Sequence, residues 1–588
     1  MFNKYTKTSI FVFIFLLQAC VSPLSIQNER NTTVSFVGQT EINSQDSGYQ
    51  NSHETITLPN TVATTVQKSL AKRLQELEAL SPSRDSDDWE IPLGLNLHHT
   101  QAHSAKLSME SAIIIAIENN LDIQIASIQP QIAAQSTITA DAAFDSVFGA
   151  GLSKNRLRVP QQQIINQFGQ PLSSSERATD IFSSNASITK KLHSGGTFLL
   201  STNITKTESD SQEFNYEPDP AWQTIGTIEL NQPLLRNFGK KVTLSQIQLS
   251  KIDQDKTGED LRNTLNEVIT NTEQSYLNLC LQWRLLQINH WLLEQGERVE
   301  KTLKLRLSYD TSEADYAQAV ATVQRRRADV IKQQSEVQAA SDTVKKLINS
   351  EKYRLDSEQV VQPTESVQAN PITISLRQAL VTAIENRPDI RSLALAIRSS
   401  EINIGVAENA RLPQLDMQAQ MSLYGLGNTV GDGYNEVFDA DYMNYLAGLS
   451  LSIPIGNRAA DANTKITRLR QMSAIASYKK GIQQATIEIK KALRDIVTSA
   501  ALMDANKDYR IAQTENLRAL LVEEETMAGL TPTFLNLKLQ TQSGLASART
   551  AEISSVINYN KAIAELYKAM GTTLSRHQMS IKNSNETE

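Results

Sequence analysis

The sequence predicts a mainly α fold with a transmembrane β part, arranged as two structural repeats. Three observations carry this expectation. The chain repeats itself: residues 107–123 read LSMESAIIIAIENNLDI and residues 374–390 read ISLRQALVTAIENRPDI, an offset of 374 − 107 = 267. Such a period is too long for a solenoid unit and marks two copies of a domain-sized element. Long stretches lack the strongest helix breaker, since no proline stands between Pro233 and Pro363 or between Pro454 and Pro532. Residues 415–423 (LDMQAQMSL) alternate apolar and polar without error, with Leu415, Met417, Ala419, Met421 and Leu423 on one side. That period of two, with a polar second face, is the pattern of a membrane barrel strand.

At the N-terminus, Lys4 and Lys7 precede an apolar run over 10–17, of signal-peptide length and too short to span a bilayer. The run ends in Leu17-Gln18-Ala19-Cys20, which resembles a bacterial lipobox. The resemblance implies cleavage before Cys20 and lipidation of its thiol. Val21 is not Asp, which by the same resemblance points to the outer membrane. The chain has two cysteines, so lipidation of Cys20 leaves Cys280 without a partner. Between Leu279 and Leu281 in a helical pattern, Cys280 is expected to pack as an inert thiol. The net charge of −7 argues against a nucleic-acid partner.

The expected organisation is a signal peptide (1–19), a polar tether with a short helix near 61–80 (20–105), a first repeat (106–363), a second repeat (364–575) and a polar tail (576–588). Each repeat holds one long helical pattern, about 239–309 and 457–528, roughly 105 Å at 1.5 Å per residue. Each also holds two shorter ones, about 107–143 and 315–349, then 374–410 and 533–571. Two short helices end to end match one long helix, which predicts an antiparallel coiled-coil rod in each repeat.

Strands are expected between the first short helix and the long helix of each repeat, about 144–232 and 415–455. In the second repeat, 415–423 and 445–455 flank a Gly- and Asp-rich stretch, 425–441, read as an external loop. The first repeat is 46 residues longer here: Leu107 to Pro233 is 126 and Ile374 to Pro454 is 80. The surplus is either one more hairpin, turning at His193-Ser194-Gly195-Gly196-Thr197, or a loop outside the barrel. No such strand number closes a barrel within one chain, so the barrel requires several copies.

Ordered motifs then give a resemblance. Leu107-Ser108 with Ala112, Ala116 and Glu118-Asn119-Asn120, and Ser375 with Ala379, Ala383 and Glu385-Asn386-Arg387-Pro388, open the two repeats. Arg411-Leu412-Pro413 hands helix to strand, and Asn231 to Gly239 and Ser452 to Gly456 hand strand to helix. Asn558-Tyr559-Asn560, Ala562, Ala564, Leu566, Ala569 and Gly571 close the second repeat. In this order the motifs resemble the outer membrane efflux protein family, the TolC-like channels. The resemblance covers about 106–575. It implies a homotrimer sharing one β-barrel and a long helical tunnel, met by a periplasmic adaptor and an inner-membrane pump, with lipid around the barrel.

Pro233, Gly239, Pro454 and Gly456 are the expected strand-to-helix hinges. The helix-to-helix turns are the expected periplasmic tips, with Gly529, Leu530, Thr531 and Pro532 at one and Tyr309 and Asp310 at the other as adaptor contacts. Asp315 and the run Glu523-Glu524-Glu525 either line the aperture or are a solvated helix face, and Arg325-Arg326-Arg327 is read as a solvated face. The family's aspartates after the tip glycine are replaced here by Phe534-Leu535-Asn536-Leu537-Lys538. The seven histidines have no metal spacing, and no nucleophile, zincin or P-loop motif is present, so neither a cofactor nor an enzymatic activity is expected. The expected role is a passive exit duct for efflux. The alternatives are an exit channel for secreted proteins and a lipid-anchored coiled-coil structural protein without a barrel.

Overall fold

A computed structural model describes residues 56–58, 64–80, 91–95, 97, 100–160, 167–169, 176–210, 217–309, 311–526 and 531–579. Cys20, Asp310, Gly529 and Leu530 lie outside the described residues.

A short strand β1 (Ile56–Leu58) and helices α1 (Thr65–Ser69) and α2 (Leu74–Leu80) lead to the first repeat. That repeat runs β2 (Ser104–Leu107), α3 (Met109–Asn119), α4 (Leu121–Asp141), β3 (Ser146–Pro160), β4 (Glu176–Lys191), β5 (Thr197–Asp210), β6 (Ala221–Pro233), α5 (Lys240–Thr243), α6 (Ser245–Arg306), α7 (Glu313–Ile348) and β7 (Val360–Pro363). The second runs β8 (Ile372–Ile374), α8 (Leu376–Asn386), α9 (Pro388–Asn409), β9 (Gln414–Gly427), α10 (Val430–Asp439), β10 (Tyr442–Ser452), α11 (Arg458–Thr526) and α12 (Pro532–Met570), and α13 (Thr573–Arg576) follows. The helix pairs α3–α4 and α8–α9 begin at Met109 and Leu376, and at Leu121 and Pro388, each at the 267-residue offset of the sequence repeat.

The breaks within those pairs have local causes. Asn120 takes an extended ψ of 130°, and its side chain caps α4 by accepting from the N–H groups of Asp122 and Ile123. Arg387 also takes an extended ψ, of 122°, but without a side-chain cap, before Pro388, whose fixed φ suits the first helical position. The α3–α4 pair is bent by 44° and is the one segment among the described residues with the length and apolar content of a membrane span. Its α3 half is core, with Ala112, Ile113 and Ala116 buried.

The helices pack in two tiers. In the tier next to the sheet, neighbours run α4–α6–α9–α11; in the far tier they run α7–α6–α12–α11. The long helices α6 and α11 thus pass through both tiers, and the short helices stack beside them end to end. Between the tiers lies a belt absent from the sequence reading: β2 pairs in parallel with β7, and β1 pairs antiparallel with β8. The β1 pairing also shortens the expected tether. Trp283 is fully buried there, its indole N–H donating to the Val361 carbonyl at 3.0 Å. Cys280 is buried in the same core, and burial pushes its thiol pKa up to about 12. A thiol so protonated is a packing group.

One six-stranded sheet, ordered β10-β9-β6-β5-β4-β3, caps the sheet-side tier. All its neighbours are antiparallel. The first repeat therefore contributes four strands and the second two.

Candidate duct wall and barrel–tunnel joint

Register across the sheet sorts the side chains into two faces. One row reads Phe148, Ile188, Leu200, Ile228, Met421 and Tyr445 across the six strands. All six are apolar or aromatic, and all are between 38% and 83% exposed. The next row, on the opposite face, reads Gly149, Ser187, Ser201, Thr227, Ser422 and Asn444. A soluble sheet buries its apolar face. This sheet exposes it, and the small polar face is the one with internal hydrogen bonds, such as Thr227 to Ser422 at 3.2 Å.

Stretch 425–441, expected as an external loop, is a correction. It contains α10, which lies on the apolar face at the sheet's far end. The Tyr434 hydroxyl is 2.9 Å from that of Thr202, and Thr224 is wholly buried beneath the helix. Glycine makes this approach possible: a Cβ at Gly425 would stand 1.9 Å from the Gly433 carbonyl oxygen. Short, weakly apolar sequence with two glycines inside the helix gives little helical signal, because contact with the sheet supplies the stability.

The two strand-to-helix joints differ. Pro233 is the last residue of β6, whereas Pro454 lies two residues beyond the end of β10, so only the first ends a strand. Gly239 (φ +95°) and Gly456 (φ +91°) both take backbone angles that favour glycine. At the first joint the Asn237 N–H donates to Asn409 Oδ1 at 2.7 Å, so the end of α9 holds the hinge of the other repeat. The β4–β5 turn is seated in the same joint. Gly239 N–H donates to the Ser194 carbonyl at 3.0 Å, and the Ser194 hydroxyl donates to Gln232 Oε1 at 2.7 Å. A Cβ on Gly195 (φ +100°) would stand 2.2 Å from the Asn237 carbonyl oxygen.

At the far end, a single core of Val299, Leu303, Ala319, Leu520, Phe534, Leu535 and Leu539 joins both repeats. Tyr309 protrudes into solvent between α6 and α7. Thr531 caps α12 by accepting from the Phe534 N–H at 3.2 Å, and Pro532 takes its first turn. Asp315 is engaged in a cap: Ser312 donates to its carboxylate at 2.6 Å and accepts from its N–H at 3.1 Å. Glu524 pairs with Lys538, while Glu523 and Glu525 are exposed.

Arg326 is a second correction. It is 1% exposed rather than solvated. Its guanidinium donates to the Leu292 carbonyl (2.8 Å), the Leu539 carbonyl (2.8 Å) and Ser543 (3.0 Å). Burial, with Arg325 nearby, pushes its pKa down to about 10. Gly296 makes room, since a Cβ there would meet Nη1 of Arg326 at 2.9 Å. The only sequence signal for this site is a glycine inside a long helix.

Among the described residues, no group of three or more His, Cys, Asp or Glu side chains could hold a metal ion.

A sector of antiparallel sheet with a bare apolar face, set on a two-tier helical rod, is the fold of a helical tunnel joined to a shared barrel. The pattern of the outer membrane efflux protein family matches residues 379–572 of the chain. The chain is 26% identical to the cation efflux system protein CusC of Escherichia coli strain K12 over 316 residues, 52% of this chain and 64% of that protein. It is 23% identical to the probable outer membrane lipoprotein SilC of Salmonella typhimurium over 269 residues, 45% of this chain and 54% of that protein. These alignments span less than two thirds of the relatives' lengths. The crystal structure of the Campylobacter jejuni CmeC outer membrane channel superposes with a TM-score of 0.58 at 16% identity, covering 84% of this chain and 95% of that one. That of CusC gives 0.55 at 18% identity, covering 84% and 99%. These two likenesses establish the fold.

Proposed function

We propose that this chain is one protomer of a homotrimeric exit duct in the outer membrane, passive in itself and serving efflux from the periplasm to the outside. The observation that carries the reading is a coincidence of edges. The sheet's free edges are β3 and β10. β3 follows α4, and β10 leads into α11. Those two helices are also the free edges of the sheet-side tier, and α7 and α11 are the free edges of the far tier. One copy therefore offers β3, α4 and α7 along one side and β10 and α11 along the other.

The sides are complementary. α4 exposes Leu121, Ile125, Ile128 and Ile132 in an apolar stripe at helical spacing, each 50–61% exposed. α11 exposes Ile466, Leu469 and Met472 at the same tier. β3 and β10 run in opposite senses, so their pairing continues the antiparallel alternation. A heterologous contact of this kind gives a ring when its rotation closes, as three copies do in this proposal. The apolar row then faces lipid and the Ser, Thr and Asn row faces a watery lumen, as a membrane barrel requires.

In this assembly Cys20 carries the lipid anchor, and the helical tiers stand in the periplasm. Pro233, Gly239, Pro454 and Gly456 turn the barrel wall into the tunnel wall. Tyr309, Asp310 and Gly529 to Pro532 form the tip that meets a periplasmic adaptor, through which an inner-membrane pump supplies the energy. Asp315, Glu523, Glu524 and Glu525 are the aperture candidates.

The test is single-channel recording of the detergent-extracted protein in planar bilayers, with its oligomer mass measured in parallel. Discrete conductance steps from a trimer are expected. A folded, lipid-anchored monomer that never conducts would overturn the reading.

A further inference from the structure

The end of the sheet far from the helices carries lysines on its apolar face. Lys154 of β3, Phe182 of β4, Lys206 of β5 and Trp222 of β6 stand opposite one another in a single register row. Lys206 Nζ lies 5.7 Å from the centre of the Trp222 ring. The row beside it on the polar face, Ser153, Ser183 and Thr205, is uncharged. Between Lys190, near the helical end, and the Lys154 row, every residue of β3, β4 and β5 on the apolar face is uncharged.

The height of this row is specific. Lys154 stands 154 − 146 = 8 residues beyond the start of β3. Phe182 stands 191 − 182 = 9 residues from the helical end of β4, and Lys206 206 − 197 = 9 from that of β5. At about 3.4 Å per residue and a tilt of about 40°, all three lie about 21–23 Å up the wall. The apolar band of a membrane barrel is about 25 Å tall and ends in an aromatic girdle. A row of Lys, Phe, Lys and Trp at that height falls where hydrocarbon gives way to headgroups.

We propose that Lys154, Phe182 and Lys206 form a seat for the phosphate headgroup of an anionic lipid in the outer leaflet. The proposal rests on the lipid-facing assignment of the apolar row made above. The two lysines stand two strand spacings apart, about 9.6 Å, with Phe182 on the strand between them. Their flexible four-carbon stems bring both ammonium groups to a phosphate above the Phe182 ring. The acyl chains then descend over Leu152 and Ile188, which are 75% and 42% exposed. One row further out, Arg156 pairs with Asp180 at 3.2 Å, and Glu208 pairs with Lys206. Three cations against two carboxylates leave this patch one positive charge in excess. Exposed lysines hold a free phosphate weakly, because water and salt screen each contact. Chains laid on the apolar rows supply the remaining affinity, so the chemistry selects a phosphorylated lipid over the bare anion.

Native mass spectrometry of the full chain in a zwitterionic detergent tests this, with dioleoyl phosphatidic acid as the probe. Dioleoylglycerol supplies the same chains without the phosphate, and inorganic phosphate supplies the anion without the chains. The assembled protein should retain phosphatidic acid and neither of the other two. Lys154→Gln with Lys206→Gln should weaken that retention about ten- to thirtyfold. Lys154→Arg with Lys206→Arg should keep it, which separates lost charge from misfolding. Undiminished retention by the glutamine variant, or equal binding of dioleoylglycerol, would overturn the seat. Inorganic phosphate bound as tightly as the lipid would leave a bare anion site and overturn the lipid assignment. Oligomer mass and channel recordings on the same samples keep the two readings apart. A conducting trimer that retains no phosphatidic acid would sink this proposal alone, and a chain that forms no ring would sink both.

Discussion

Arg326 of α7 donates to the main-chain carbonyl of Leu539 in α12 at 2.8 Å, tying the first repeat to the second inside the rod. No carboxylate lies among its hydrogen-bond partners, which are two carbonyls, Ser543 and, at 3.4 Å, Gln542. Its pKa of about 10 keeps it charged at neutral pH. Arg326→Ala removes this clasp and leaves a cavity beside Gly296, with an expected loss of about 2–4 kcal/mol. Arg326→Met keeps most of the volume and should lose less. Thermal melts of the extracted protein check both. Equal, negligible losses would mean the clasp contributes nothing net.

Acid should act on the joint between α8 and α9. Asp389 is partly buried, which alone would raise its pKa, but its bond with Arg387 outweighs this and holds the carboxyl below the usual range. Its folded pKa is depressed, so its contribution is present above the unfolded value of about 3.9 and is lost as pH falls through the folded value. Asp389→Asn should flatten the acid limb of a stability–pH profile between about pH 5 and pH 2. A mutant profile that parallels the parent's would refute it.

Gly571 ends α12 at φ +71°, and a Cβ there would lie 2.9 Å from the backbone of Arg387. Both the backbone angle and the space require glycine. Gly571→Ala should cost more than the roughly 1 kcal/mol of the left-handed angle alone, because the obstructing atoms are main chain. Chemical denaturation against the parent measures it.

The stripe on α4 should matter for assembly and little for the fold of one copy. Ile128→Asp with Ile132→Asp places two carboxylates on residues that are half exposed in the single chain. The expected product is a folded monomer with native helix content. Mass photometry and circular dichroism together decide it, and an intact trimer would remove α4 from the contact.

Much of this was legible in the sequence, for identifiable reasons. The helix pairs were visible because Ala112, Ala116, Ala379 and Ala383 point into cores at a fixed spacing. β9 was visible because one face meets lipid and the other water, so every second residue is constrained. The ambiguity of the 46 extra residues had a physical basis: Ser183 to Ile188 mixes small polar residues on both faces, and register with β3 and β5 resolves it. α10 was invisible because its stability comes from a groove made by Thr224, Gly226 and Gly425. Arg326 was misread because three consecutive arginines suggest solvent, while burial is decided by Gly296 on another helix. The tip residues were placed by their turn chemistry, yet which carboxylates converge is a property of several chains.

The bare row from Phe148 to Tyr445 has a consequence for how the protein comes into being. Before assembly, each newly exported chain must carry that row, and the isoleucines of α4, through an aqueous compartment. Surfaces of this kind aggregate or recruit holdases, and they are satisfied only by lipid and by sister chains. Maturation should therefore obey mass action: the yield of assembled protein rises steeply with local chain density, and its melting temperature depends on protein concentration. Anchoring each chain to a membrane surface through Cys20, as proposed above, would raise that density before any contact forms.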